Sequence, residues 1–304
     1  MTTTPSTARR SSKKPRSLFA GKKLNFFGVV RSEFLKFRTL TTNWVMVLII
    51  GTVMIGLALL FALNLNSQAD MLRDNADMAA QMAAQASEEG AAGYFSIEGL
   101  VAYAHGLGSS GTMLANMLLA SIAVVFVASE YATRSIGTTI TVVPKRSMAY
   151  FAKFVVLSIF GFLTGFVFAA LSFLISSALL NEELSSKVEF SSGVVMNWVG
   201  VAIYFMLMAW MGLGFGTLLR NNAGGIVLVV VLMFVMPIIF SVLKFDWVVD
   251  FSPYLPSNLG TTISSYGLPQ DAEVGYQESG AWLALWAAVP ALLGYLRFTL
   301  TDSK

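Results

Sequence analysis

Cysteine is absent from the 304-residue sequence, and histidine occurs once, at His105. Disulfides and thiolate metal sites are therefore excluded, and one imidazole is too few for a transition-metal site. Any Ser–His–Asp chemistry would have to use that same His105, which sits beside glycines and reads as an ordinary loop residue. No GxxxxGKS or GxxxxGKT phosphate loop and no HExxH pair occurs, which removes ATP binding by that route and zincin-type proteolysis. Charge is scarce as well: only 12% of residues are charged, about half the usual fraction. What fills the space is apolar, with 56% hydrophobic residues and a mean hydropathy of +0.68. The fold class expected is an all-α polytopic membrane protein.

Six apolar runs approach or exceed the ~20 residues that a helix needs to cross a bilayer. They lie near 43–63, 111–129, 151–179, 195–219, 223–243 and 281–300, inside one six-span block, 41–304. The spans hold almost no ionisable residue, which disfavours an ion-coupled carrier. Gly161 and Gly165, and the cluster Gly212, Gly214 and Gly216, mark close helix contacts. Pro237 should kink the fifth span. Trp44, Trp198, Trp247 and Trp282 lie near run ends, where an aromatic belt belongs.

Residues 1–23 carry seven bases and no acid. Such a segment buries no core and reads as a disordered cytoplasmic tail near anionic lipid rather than a nucleic-acid arm. No cleavable signal precedes the first span. Residues 24–40 read as an interfacial helix, with Phe26, Phe27, Val30, Phe34 and Phe37 on one arc and Ser32, Lys36 and Thr39 opposite. Arg31 and Arg38 flank the arc and can snorkel, and Glu33 is the one acid.

Charge counting orients the chain. With both termini inside, 17 of the 20 Lys and Arg fall on the cytoplasmic side and 14 of the 17 acids fall outside. The positive-inside rule then puts 130–153, EYATRSIGTTITVVPKRSMAYFAK, in the cytoplasm of a cell-membrane protein. Pro144 and the β-branched run 138–143 allow only a short helix near 131–140, then a turn through Lys145 and Arg146, with Ser147 placed to cap the third span. On the outer side, an Ala- and Met-rich stretch after the first span should extend its helix, with Met71, Met78 and Met82 near one face. The proline-rich stretch 244–280 should form an interfacial or re-entrant element.

The order of acid, Gly-Thr, proline and bases in 130–153 resembles the loop between spans two and three of type-two ATP-binding-cassette (ABC) exporter permeases. VRSEFLKFRTLTTNW at 30–44 looks like that family's amphipathic leading helix. PYLPSNLG at 253–260 is similar to its outer element before the last span, particularly in actinobacterial members. The resemblance implies a coupling helix that docks on a separate ATPase subunit, with Glu130, Tyr131, Arg134, Gly137, Thr138, Pro144, Lys145 and Arg146 as partner-binding candidates. It also implies a second permease subunit, export of an amphipathic drug, peptide or lipid, and no catalytic, cofactor or metal site in this chain, with ATP and Mg held by the partner. Many members of that family carry glycine and then arginine, as in EYxxGTIR, whereas this chain has Arg134 and then Gly137. The alternative expectation is a non-transporting membrane anchor or sensor coupled to an ATPase.

Overall fold

A computed structural model of the chain describes residues 25–75, 96–143, 145–243, 245–267 and 273–301. The expectations for 1–23, Met78, Met82 and Pro144 lie outside them. The described residues are helical and contain no strand. Helix α1 (Phe26–Thr39) leads into α2 (Thr41–Asp74), and α3 (Ile97–His105) and a 3-10 turn (Leu107–Ser109) lead into α4 (Thr112–Ala132). Then come α5 (Ile136–Val142), α6 (Arg146–Ser177), the single turn α7 (Glu182–Ser185) and α8 (Ser192–Leu219). Helix α9 (Asn222–Val230) passes through a π turn (Val231–Val235) into α10 (Met236–Val242). The chain ends through α11 (Asp246–Phe251), a 3-10 turn (Ser252–Tyr254), α12 (Pro256–Ile263) and α13 (Tyr276–Leu300).

Six of these stretches are long and apolar enough to cross a membrane: α2, Leu107–Ala132, α6, α8, Asn222–Val242 and α13. Each of the six expected runs falls on one of them. The first runs on to Asp74, carrying Met71 with it, as the good helix formers after 63 require.

Helix α8 is the axis of the bundle, buried along its length and packed against α4, α6 and α13. Glycines permit that approach. A β-carbon at Gly216 would lie 2.8 Å from the Val124 carbonyl oxygen of α4, and one at Gly165 of α6 would lie 2.9 Å from Ala202 Cα of α8. Gly214 lies flat on the Pro290–Ala291 backbone of α13. With no side chain between them, the backbones pack at the distance that dispersion requires in a solvent as apolar as the protein.

Pro237 produces a π turn. The Met236 N–H reaches back to the Val231 carbonyl, and the proline follows directly, in the first turn of α10. Met233, Val229 and Gly225 are the buried residues of this leg; α10 buries none.

Three local expectations are corrected. Ser147 is not the cap of α6; Lys145 occupies the N-cap position without a side-chain bond, and Ser147 Oγ lies 3.1 Å from the Tyr295 hydroxyl. Trp198 is buried rather than in a belt, ringed by Phe166, Phe173 and Phe190. His105 ends α3, with its Nδ1 2.7 Å from the Val101 carbonyl and its ring stacked on Tyr266. Its Nε2 accepts the Glu189 N–H at 3.2 Å, which leaves Nδ1 to donate to Val101. It clasps α3 to the 188–191 segment.

Candidate functional site

Between α4 and α6 the chain makes a short excursion whose geometry follows from its hydroxyls. Helix α4 stops after Ala132 because Arg134 adopts a left-handed conformation, φ 57°. Thr133 Oγ1 donates back to the Ser129 carbonyl at 2.8 Å and lies 2.9 Å from Ser135 Oγ. The β-branched run IGTTITV then forms a seven-residue helix, α5. Its threonines bond to carbonyls of their own turns, Thr138 to Ser135 at 2.7 Å and Thr141 to Gly137 at 2.8 Å. The helix therefore begins at Ile136, five residues later than the sequence indicates.

Helix α5 has two faces. Ile136, Thr139 and Val143 are buried against the bundle, while Gly137, Thr138, Thr141 and Val142 are exposed, Val142 at 68%. A β-carbon at Gly137 would meet nothing within 4 Å. Nothing inside the described residues requires glycine there; the outer face is simply flat.

Beneath α5 lies a cluster of four charges drawn from three helices. Lys153, fully buried on the second turn of α6, is 2.5 Å from Glu33 Oε2 of α1 and 2.7 Å from Glu130 Oε1 of α4. Its ammonium also stands 4.8 Å from the centre of the Phe126 ring. Lys36 of α1 closes the circuit at 2.7 Å from Glu33 Oε1 and 3.3 Å from Glu130 Oε1, and it donates to Thr139 Oγ1 of α5 at 3.1 Å. Two carboxylates and two ammoniums balance, so four helices are joined with no net charge. Burial alone would push the Glu33 carboxyl up, but the ammoniums of Lys153 and then Lys36 outweigh it and hold it below the ordinary carboxylate range. Lys36 moves the other way. Partial burial would lower it, yet the carboxylates of Glu33 and Glu130 raise it above an ordinary lysine. Glu130 Oε2 is buried with no hydrogen-bond partner among the described residues, so this carboxylate depends on the bonds to its other oxygen.

The cluster revises the reading of α1. Its buried stripe is Val29, Glu33 and Phe37, spaced at i, i+4 and i+8, with Lys36 beside it. Lys36 was expected opposite the apolar arc; it faces the protein because Glu33 and Glu130 draw it in. Phe27 and Phe34 point away from the bundle, 77% and 50% exposed. Arg31 and Arg38 are exposed as expected.

Of the eight partner-binding candidates, three are engaged within the chain. Glu130 is in the cluster. The Tyr131 ring lies 5.0 Å from the Arg220 guanidinium. Arg146 donates to the Thr299 and Thr301 carbonyls at 3.4 and 3.2 Å, closing the C-terminal end of α13. Arg134, Gly137, Thr138 and Lys145 are exposed around α5, and Pro144 lies outside the described residues. Sequence reasoning missed Thr139, Thr141 and Val142, and it gave Lys153 no partner. The available signal was an acid on the apolar side of one amphipathic helix and a base inside an apolar run, each too costly to bury alone. The left-handed Arg134 sits where the EYxxGTIR pattern has glycine, the residue that adopts φ > 0 without strain. No family model matches this chain, and no curated protein matches it either.

Proposed function

We propose that the chain is the membrane-spanning permease subunit of an ATP-driven ABC exporter. In this reading 1–23 is a cytoplasmic tail, α1 lies at the inner membrane surface and both termini are cytoplasmic. Helix α5 is the coupling helix that meets a separate ATPase, and α11 and α12 form the outer element before the sixth span. The observation that carries the reading is the pairing of a bare outer face on α5 with the charge cluster beneath it. A flat Gly-Thr-Thr-Val surface bordered by Arg134 and Lys145 is exposed to a partner. Lys36, Glu130 and Lys153 tie the base of that surface to α1, α4 and α6. A push on α5 is thereby delivered to two spans and the leading helix as one body, which is how a local contact becomes a rigid-body displacement. The positive-inside count supports the orientation independently. ATP and Mg belong to the partner, and the resemblance adds a second permease subunit.

The test is reconstitution with an ATPase subunit encoded beside this chain. Introducing a bulky residue at Gly137, as Gly137→Trp, should leave expression and folding intact while abolishing ATPase association and ATP-dependent flux. Flux by the chain alone, without ATP or a partner, would overturn the proposal.

A further inference from the structure

A lateral slot of about 820 Å³ lies between α8, the α9–π leg, α11 and α13, a volume suited to a small organic ligand. It runs from Trp247 and Trp282, at the end opposite α5, to Leu218 and Leu293 near the α5 end. Along α13 the eleven helical steps from Trp282 to Leu293 make it roughly 16 Å long. Its walls are held in place. Trp286 donates its indole N–H to the Tyr254 carbonyl at 2.8 Å, and the Tyr254 and Trp282 rings meet edge to face at 5.5 Å. Among the described residues lining it, the one charged group is Asp250, at the aromatic end.

The surrounding sequence is predominantly acidic. From 244 to 296 there are five acids, Asp246, Asp250, Asp271, Glu273 and Glu278, and one base, Lys244. An apolar slot headed by a carboxylate and indole rings suits a ligand with a hydrophobic body and a cationic head, through charge pairing and cation–π contact. It does not suit an anionic lipid, whose headgroup would meet the same carboxylate. A second copy of the chain, related by a two-fold axis, would bring the acid-rich surface against itself. We propose that this slot is a binding site for amphipathic organic cations, entered from the apolar surface of the bundle. As a statement about cargo it rests on the export reading; as a statement about binding it does not.

The test uses the full chain in lipid nanodiscs and three fluorescent probes with one body: trimethylammonium-diphenylhexatriene, its uncharged parent and its propionic-acid derivative. Energy transfer from the six tryptophans, corrected against empty nanodiscs, reads binding. The cationic probe should saturate and bind about tenfold more tightly than the acid. Asp250→Asn should weaken the cation about fivefold and leave the uncharged probe unchanged. Asp250→Glu should retain cation binding, and Trp282→Ala should weaken both probes. Equal binding of cation and acid, or an Asp250→Asn protein indistinguishable from the parent, would overturn the site as a lipid groove only. A disulfide between two chains through Leu285→Cys, in a chain that otherwise has no cysteine, would overturn it as a subunit interface if cation binding did not prevent it. Cation binding without ATP-dependent flux would remove the export reading and leave the site. Flux of another cargo without cation binding would do the reverse.

Discussion

The two ends of the bundle solve the same problem with different chemistry. At the α5 end the helices are joined by charge: the Glu33–Lys36–Glu130–Lys153 cluster, Arg146 on the last carbonyls of α13, and Arg297 donating to the Leu218 carbonyl near the end of α8. At the opposite end the described bonds that join helices include no ion pair, and Arg73 pairs with Asp70 and Asp74 only within α2. His105 clasps Val101 and Glu189, Asn197 donates to the Ser264 carbonyl, and Asn66 donates to Leu179 while accepting from the Asn181 N–H. A buried charge is silent while paired and costly once its partner leaves, whereas a neutral hydrogen bond is lost on its own scale. Loss of stability at the α5 end should therefore be all-or-none. The other end is cumulative.

Removing the ammonium at the centre of the charged end is the severest way to break this contrast. Lys153→Met strands Glu33 and Glu130 and should cost about 3–5 kcal/mol, read as a large drop in the unfolding midpoint in detergent. Adding Glu33→Gln, which leaves Lys36 and Glu130 to pair, should recover a substantial part. An additive double mutant would show that the cluster is not one unit.

At the neutral end the loss should be smaller. His105→Ala removes two hydrogen bonds and a ring stack, and about 1–3 kcal/mol is expected. A loss equal to that of Lys153→Met would erase the distinction.

Proton titration sharpens the comparison further. Glu33 is held below its ordinary value, so it contributes stability above the unfolded-state value, and that stability is lost as pH falls through the lower folded one. Lys36 is raised, so its contribution is complete below the ordinary lysine value and is lost as pH rises through the higher folded one. Both limbs should weaken contacts of α1, below about pH 4 and above about pH 10. Amide exchange in α1 should report the acid limb, which Glu33→Gln removes.

The smallest effect tests strain. Arg134→Gly relieves a left-handed arginine and should stabilise the turn by about 1 kcal/mol, provided the greater freedom of glycine in the unfolded chain does not offset it. A loss of stability would mean that the Arg134 side chain holds the turn.

The six spans were legible because twenty-odd apolar residues in a row leave a chain few alternatives, and each expected run falls on a helix. The close contacts at Gly161, Gly165 and Gly214 were legible for a related reason, since in lipid small residues mark the approach of backbones. The site was legible only in part. Glu130, Gly137 and Thr138 stood out by their order along the chain. Their division into an inward group and an outward face did not, since that depends on where α4 stops. Arg134 stops it by taking a conformation that its residue type disfavours. Lys36 was assigned to solvent because helical periodicity sees one helix at a time.

Taken alone, then, the sequence determines six helices long and apolar enough to cross a membrane, because the cost of burying polar backbone and charge in lipid is local and additive. Tertiary structure decided which charges are buried. Glu33, Lys36, Glu130 and Lys153 lie up to 120 positions apart, and the three buried ones, Glu33, Glu130 and Lys153, are tolerable inside only because the fold brings each an opposite charge, with the part-exposed Lys36 closing the circuit. That condition belongs to no segment of the chain, and it is met only when α1, α4, α5 and α6 meet.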